Sequence, residues 1–235
     1  MFAIYTRELK SYFLTPIGYI FCGMFLVVSG LAFASCTLLQ QSTDSLGNYF
    51  LWLMVIFAIL LPLLTMKLLA DDRRTRTDQI LLTSPVSVTS IVMGKYLAAV
   101  TVFGVTFLAN SFNFVLLFKY GNPNIVSILI NVFGIFLLGA AFIAIGVLLS
   151  SLTENQLIAA VSAMGINAAM LLISLVADGV ESTALRTVLK MFSVIDRFVP
   201  FTNQMLDVSA IIYYISLAAV AIFLTIRVIE KRRWA

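Results

Sequence analysis

Long apolar runs alternate with short polar segments along this chain. Most runs reach the length of about 20 residues that a helix needs to cross the hydrocarbon core of a bilayer. The run over residues 133–149 does not alternate between apolar and polar positions, as a membrane β-strand would. The pattern predicts six transmembrane helices, over residues 17–39, 49–69, 96–118, 125–149, 157–177 and 208–226. The expected fold class is an all-α integral membrane protein in which residues 1–235 form one domain.

Composition supports the same fold class and excludes several classes of function. Hydrophobic residues make up 61% of the chain and charged residues 11%, against about 25% charged residues in an average soluble domain. Because the chain has no histidine, histidine metal ligands and histidine-based nucleophilic catalysis are excluded. Cys22 and Cys36 would lie about 21 Å apart on one helix, whereas a disulfide needs Cα atoms within about 7 Å. We therefore expect no catalytic residue, no disulfide and no metal site.

Basic residues are concentrated on one side of the predicted spans. If the N-terminus is cytoplasmic, the outer connections hold Lys119, Arg186, Lys190 and Arg197, and the inner side holds Arg7, Lys10, Lys67, Arg73, Arg74, Arg76, Lys95, Arg227, Lys231, Arg232 and Arg233. The positive-inside rule then predicts a multi-pass protein of the cell (inner or plasma) membrane with both termini in the cytoplasm. Topology accounts for the positive charge, so we expect no nucleic-acid partner. The first run is too long for a signal-peptide core and should remain as an uncleaved span.

Residues 1–16 show the pattern of an amphipathic helix. Apolar side chains recur at helical spacing and share one face: Phe2, Tyr5, Leu9, Tyr12 and Phe13. Arg7 and Lys10 fall largely on other faces of the helix. Such a helix would lie in the inner interface of the bilayer, and Pro16 would mark the turn into the first span. The alternative is a frayed leader that only sets the topology.

The connection over residues 70–95 is the longest one on the predicted inner side. It carries acids as well as bases, which a purely topological loop would not need. A short helix is expected over residues 77–84, capped by Thr75 or Thr77 and stopped by Pro85. Its apolar side chains, Ile80, Leu81 and Leu82, would then be exposed beside charges, a pattern typical of a partner-binding surface. The alternative is that this helix lies on the bilayer surface.

The other inner connection, residues 150–156, is short. Thr153 and Gln156 have the spacing of a capping box that would open the fifth span. A capped turn needs no partner, so two alternatives remain for the candidate contact residues: a structural role and a partner-binding role. They are Thr153, Glu154, Asn155 and Gln156.

The outer segment over residues 178–207 is longer than a plain connector. Its apolar residues share one helical face, and Arg186, Lys190 and Arg197 populate the opposite face. We expect two short re-entrant helices that dip into the outer leaflet, with an interruption at Val199, Pro200 and Phe201.

The predicted spans contain almost no ionisable residue, which disfavours a proton relay or an ion pump. Their polar candidates are Asn110, Asn113, Asn131 and Asn167, which either make interhelical hydrogen bonds or line a pathway. Pro62 predicts a kink in the second span. Small residues in the fourth span permit close packing, either inside the chain or between two copies: Gly134, Gly139, Ala140, Ala144 and Gly146.

With six spans, an interfacial helix and this inner loop, the chain resembles an ABC-2-type transporter permease. Within that family it looks most like the gliding-motility and nitrous-oxide-reductase-maturation branch. The resemblance is carried by Gly94-Lys95 and, before it, by Asp71-Asp72-Arg73-Arg74-Thr75-Arg76-Thr77-Asp78-Gln79-Ile80-Leu81-Leu82-Thr83-Ser84-Pro85-Val86. Three positions depart from the family pattern: Arg76 and Gln204 stand where the family has glycine, and Gln79 stands where it has an acid.

The resemblance implies an exporter permease that works with a second copy of itself or a related permease, and with cytoplasmic ATPase subunits. It implies that the loop couples ATPase closure to the spans through Asp71, Asp72, Arg73, Thr77, Gln79, Ile80, Leu81, Leu82, Thr83, Ser84 and Pro85. The chain has no phosphate-binding loop of the G-x-x-x-x-G-K-[ST] type, so ATP and Mg²⁺ are expected on the partner subunit and no cofactor on this chain. The alternative is a membrane anchor whose ATPase drives assembly or a mechanical change without solute transport. A membrane enzyme is disfavoured because the chain has no histidine and the predicted spans have no acids in their interior. A channel is disfavoured because the sequence shows no charged ring or filter loop.

Overall fold

The structure is a computed structural model that describes residues 1–38, 46–77, 86–120, 124–179 and 182–233. These residues form helices joined by short connections. In chain order the helices are α1 Phe2–Leu14, α2 Pro16–Phe33 with a π-helical end Ala34–Leu38, α3 Leu46–Thr65, α4 Lys67–Arg74, α5 Val88–Asn110, α6 Phe112–Tyr120, α7 Ile125–Leu152, α8 Gln156–Asp178, α9 Thr183–Phe192, α10 Val194–Thr202 and α11 Val208–Arg233.

The predicted all-α class with six spans is confirmed. Within the described ranges, six helical stretches are long and apolar enough to cross a membrane: Pro16–Thr37, Leu46–Arg74, Val88–Phe118, Ile125–Leu152, Gln156–Ala177 and Val208–Arg233. The sequence pattern placed the start of the third span at Tyr96, but the third stretch begins earlier, at Val88. Its first turn is capped by the Ser87 hydroxyl, which accepts a hydrogen bond from the Ser90 amide.

Helix α7 is at the centre of the bundle and contacts α3, α4, α5, α8, α10 and α11. Three glycines on α7 allow neighbouring helices to approach closely. A Cβ atom built on Gly146 would lie 2.1 Å from Thr65 Oγ1, one on Gly139 would lie 2.5 Å from the Phe103 ring, and one on Gly134 would meet the Phe201 ring at 3.0 Å. The small residues of this span therefore serve packing inside the chain.

Aromatic rings fill the space between α3, α5 and α7. The rings of Phe57 and Phe103 meet edge to face with their centroids 5.0 Å apart, and Phe136 stacks on Phe103 at 5.6 Å. In a bilayer, helix association depends on such contacts because lipid chains are as apolar as the side chains themselves.

The outer segment contains two helices, as expected, but its predicted interruption is wrong. Helix α10 continues through Pro200 to Thr202. Pro200 is the seventh of the nine residues of α10, so its missing amide costs one ladder bond, and the helix ends two residues later in a tight motif. The amide of Gln204 donates to the Phe201 carbonyl and that of Met205 donates to the Pro200 carbonyl.

Helix α1 packs against α2 and α5. The aromatic face proposed from the sequence divides in two, because Tyr12 is buried whereas Phe2 is 79% exposed. Placement of α1 in the membrane interface stays a prediction. Its tight junction with α2 follows from Pro16, whose fixed φ suits the first position of a helix.

Candidate functional site at the charged end of the bundle

One end of the bundle collects most of the charged residues proposed from the sequence. At this end, called the charged end below, α1, α4, the start of α5, the α7–α8 connection and the end of α11 meet. Asp71, Asp72 and Arg73 lie on α4, and Thr77 follows it. The remaining predicted coupling residues lie outside the described residues: Gln79, Ile80, Leu81, Leu82, Thr83, Ser84 and Pro85.

A helix break at Met66 separates α3 from α4, and the side chain of Ser150 occupies it. The Ser150 hydroxyl donates to the Met66 carbonyl at 3.1 Å and accepts from the amides of Leu69 at 3.1 Å and Ala70 at 3.0 Å. A hydroxyl has one donor and two acceptor sites, so this group is fully used. Insertion of a side chain into the helical ladder is a recognised cause of helix bending.

The kink predicted at Pro62 stays a prediction. Helix α3 runs on past Pro62 to Thr65. The Thr65 hydroxyl donates to the carbonyls of Leu61 and Pro62, both at 3.3 Å. Proline removes one ladder bond, but the helix itself ends where Ser150 enters.

Helix α4 is attached to the second inner connection by two polar contacts. Gln156 Nε2 donates to Asp71 Oδ1 at 2.7 Å, and Arg73 Nη2 lies 2.7 Å from Glu154 Oε1. The two loops that the sequence singled out separately are therefore adjacent. Exposed ion pairs contribute little stability, so the contacts mainly fix the position of α4.

The predicted capping box at Thr153 and Gln156 is wrong. Helix α8 is capped by Asn155, whose side-chain oxygen accepts from the Leu157 amide at 2.9 Å. The Thr153 hydroxyl accepts from the Asn155 amide at 3.0 Å. Asparagine is a stronger N-cap than threonine, and Gln156 is directed instead to the Asp71 carboxylate.

Lys95 is the residue that the sequence analysis missed. Its side chain is 1% exposed, and Nζ lies 3.0 Å from Glu8 Oε1 and 2.8 Å from Asp72 Oδ2. It also donates to the Leu68 carbonyl at 2.6 Å. One buried ammonium thus joins α1, α4 and α5 through two hydrogen bonds and the ion pair with Asp72. The sequence treated Lys95 as an inner charge and as part of the Gly94-Lys95 motif, but no local signal identifies its distant carboxylates.

Two further contacts hold the outermost helices to this end. The Tyr12 hydroxyl donates to the Leu64 carbonyl at 2.9 Å. Burial raises the pKa of Tyr12 well above its ordinary value, so the hydroxyl stays protonated and continues to donate. Arg232, near the end of α11, donates to the Ser151 carbonyl in the last turn of α7, where a positive charge is favoured by the helix dipole.

A cleft of about 340 Å³ opens between α4 and the α7–α8 connection. Its lining combines an exposed base, an acid and amides with two apolar side chains: Met66, Arg74, Glu154, Asn155, Gln156 and Leu157. Within the described ranges, no three Cys, Asp or Glu side chains are grouped as a metal ion would require. The cleft offers a base, a carboxylate and amide groups for polar contacts.

The four asparagines of the spans fall into two groups. Asn110 Nδ2 donates to the Tyr49 hydroxyl at 2.9 Å, and its Oδ1 accepts from Ser29 at 2.8 Å and from Asn113 at 2.8 Å. This network joins α2, α3, α5 and α6, so Asn110 and Asn113 make hydrogen bonds between helices.

The other two asparagines are less well paired. Asn131 donates to the Ser127 carbonyl at 2.8 Å, but its oxygen has no partner among the described residues. Asn167, in the middle of α8, is 0% exposed, and neither of its amide atoms finds a partner in the described part of the chain.

Two described non-glycine residues have a left-handed backbone, and both stand where the resemblance expects glycine. Arg76 has φ 57° just after α4, and Gln204 has φ 63° just after α10. Glycine is the usual residue at this position of a helix end because a Cβ atom is strained there. The backbone thus keeps a shape suited to glycine although the side chain differs.

These features define a multi-pass helical membrane protein in which α4 and the α7–α8 connection form one polar surface at the charged end. The chain matches the family model described as ABC-2 family transporter protein over residues 9–229. It therefore belongs to that family and is the membrane component of an ABC transporter. No protein with a curated function matches the chain.

Proposed function

We propose that the chain is the permease subunit of an ABC exporter and moves its substrate with ATP hydrolysed by a separate cytoplasmic subunit. ATP and Mg²⁺ bind to that ATPase, and the permease pairs with a second copy or with a related permease. The complex lies in the cell membrane with both termini of this chain in the cytoplasm. The loop motif supports membership of the gliding-motility and nitrous-oxide-reductase-maturation branch.

The observation that carries the proposal is the attachment of α4. Through Lys95, α4 is tied to α1 and α5; through Asp71 and Arg73, it is tied to the α7–α8 connection. The predicted coupling segment follows α4 directly along the chain. A partner that pushes or pulls this segment would therefore act on four elements of the bundle together.

The charged end also offers a surface of suitable character for an ATPase. Arg74 and Arg76 are exposed on α4 and just after it, and the adjacent cleft provides the Glu154 carboxylate and the amide groups of Asn155 and Gln156. Mixed charges around an apolar contact give orientation to a docked protein. Rigid-body motion of a docked subunit is a common way to switch packed helices between two arrangements.

The substrate path is proposed to pass near Asn131 and Asn167. Unpaired polar groups inside a membrane protein are costly, so their retention favours a role in contact with a passing molecule. Asn110 and Asn113 are better explained by their mutual network. The chemical class of the substrate remains open among lipids, peptides, polysaccharides and drugs.

The test is reconstitution of the permease with its ATPase in proteoliposomes. Leu81→Asp should abolish the effect of the permease on the ATPase rate while leaving membrane insertion intact, because the charge disrupts the predicted apolar contact. Thr89→Asp is the matched control, since Thr89 is an exposed position at the start of α5. Equal behaviour of the two variants, or failure of the wild-type permease to bind any ATPase, would contradict the proposal.

A further inference from the structure

Ser150 occupies a position in the helical ladder that a main-chain bond would otherwise fill. In a continuous helix, the Leu69 amide would donate to the Thr65 carbonyl and the Ala70 amide to the Met66 carbonyl. Here both amides donate to the Ser150 hydroxyl, and the same hydroxyl donates to Met66. Ser150 is fully buried at the end of α7.

Two arrangements of this junction therefore satisfy nearly the same backbone groups. With Ser150 inserted, the two amides and the Met66 carbonyl are paired through the hydroxyl. With Ser150 withdrawn, the amides pair with Thr65 and Met66, and α3 and α4 become one helix. The two amides and the Met66 carbonyl would have partners in both arrangements, so the junction is suited to act as a two-state element.

The helix before the junction is held firmly, so any change of direction falls on α4. Gly146, one turn before Ser150 on α7, brings the two backbones so close that an added Cβ would lie 2.1 Å from Thr65 Oγ1. Thr65 is also bonded to its own helix through the carbonyls of Leu61 and Pro62. Helix α4 is held by Lys95 at Asp72 and at the Leu68 carbonyl, so a change of its direction would turn it about that point. Its other contacts are those of Asp71 and Arg73 with the α7–α8 connection.

We propose that Ser150 is a positioning residue for energy coupling: its hydroxyl sets the direction in which α4 leaves α3. This rests on the proposed function, since α4 leads to the segment on which the ATPase would act. Insertion holds Asp71 beside Gln156 and Arg73 beside Glu154. Withdrawal closes the ladder and turns α4 away from them. Movement of the docked ATPase would exchange the two arrangements.

Ser150→Ala tests this directly, and Ser151→Ala is its matched control. Both serines are 0% exposed and adjacent on α7, but the Ser151 hydroxyl donates only to the Leu148 carbonyl of its own helix. Both variants are compared with the parent protein. Spin labels are placed at Arg74→Cys on α4 and Arg227→Cys on α11, in a background with Cys22→Ser and Cys36→Ala. The distance between the labels is measured in the permease alone, without any ATPase.

Ser150→Ala should move most molecules to a second label distance, a population change of about tenfold for the loss of one to two hydrogen bonds. Ser151→Ala should keep the parent distance. Thermal unfolding should be similar for the two variants, because the backbone groups re-pair. Identical distances in Ser150→Ala and Ser151→Ala would overturn the inference.

The second measurement is ATPase stimulation in the reconstituted complex with native cysteines and no labels. Ser150→Ala should reduce stimulation by about tenfold. Ser150→Cys should lie between Ser150→Ala and the parent protein because a thiol is a weak donor and acceptor. Unchanged stimulation in Ser150→Ala would also overturn the role in coupling. If the label distance shifts but the parent permease has no effect on any ATPase, the proposed function fails while the control of α4 by Ser150 stands.

Discussion

Lys95 Nζ lies 2.8 Å from Asp72 Oδ2, and this contact is buried between α5 and α4. Glu8 of α1 approaches the same ammonium at 3.0 Å. A buried charge is tolerated when its partners and hydrogen bonds are complete, and removal of one partner leaves the others without compensation. The three residues therefore hold the charged end together as a unit.

Lys95→Met should destabilise the protein by about 3 to 5 kcal/mol, because Asp72 then loses its buried ion pair and Glu8 keeps the more exposed Arg7. Denaturant or thermal unfolding in detergent measures the loss. Lys10→Met is the control, since Lys10 is an exposed residue of α1. Adding Glu8→Gln and Asp72→Asn to Lys95→Met should recover most of the stability. A loss no larger than that of Lys10→Met would show that the cluster is unimportant.

Gly146→Ala should destabilise the bundle by about 1 to 3 kcal/mol, because overpacking forces neighbouring atoms apart. The new methyl group would meet Thr65 Oγ1 at 2.1 Å and Thr65 Cβ at 2.9 Å. Thr65→Ala in the same chain should recover only part of the loss, since the Cβ contact remains.

Gly165→Ala is the matched control for this prediction. Nothing lies within 4 Å of a Cβ atom built there on α8, and alanine is the better helix former by about 1 kcal/mol. Gly165→Ala should therefore leave the unfolding temperature unchanged or raise it. If both alanine variants behave alike, the close approach of α3 and α7 is not required.

The spans could be predicted from the sequence because each apolar run is long and almost free of charge. Their ends were less predictable. Lys95 resembled a flanking charge, yet its neutralising partners on α1 and α4 allow α5 to begin at Val88. Pro200 resembled a break, yet α10 continues past it and ends two residues later, at Thr202. These outcomes depend on tertiary neighbours that no local pattern contains.

The candidate site was predictable in its parts but not in its assembly. The sequence identified Asp71 and Arg73 by their loop and Glu154 and Gln156 by theirs, and the structure brings the two pairs into contact. Ser150 carried no signal, because a serine near a helix end is common and its partners on α3 and α4 are distant in the chain. Only the fold reveals that this hydroxyl completes a helix break.

Arg76→Gly should stabilise the protein by about 1 kcal/mol, because a left-handed backbone strains a residue with a Cβ atom. The amide of Arg76 donates to the Arg73 carbonyl at 3.1 Å, as the residue after a helix end commonly does. Gln204→Gly should give a similar gain after α10. The unfolding temperature of each variant provides the measurement.

The control for the left-handed positions is Gln156→Gly, where the backbone is helical and glycine costs about 1 kcal/mol. That variant also loses the contact with Asp71, so its stability should fall. A decrease in stability for Arg76→Gly or Gln204→Gly would mean that the side chain contributes more than the strained backbone costs.

Asn110→Leu and Asn167→Leu should change stability in opposite directions, although both residues are buried in the spans. Loss of the Asn110 amide removes its hydrogen bonds with Tyr49, Ser29 and Asn113, at a cost of about 1 to 3 kcal/mol. Asn167 makes no hydrogen bond within the described part of the chain. Leucine of similar volume there should be neutral or stabilising, because an unpaired amide no longer has to be buried.

Unfolding in detergent measures the effect of each asparagine on stability. Substrate export then shows whether a residue acts in the substrate path or only in the fold. If Asn167 lines the path, Asn167→Leu should reduce export while the fold remains as stable as the parent protein. Asn110→Leu should reduce export only in proportion to the folded protein that remains. A large loss of stability in Asn167→Leu would assign that residue to the structural network and remove it from the proposed path.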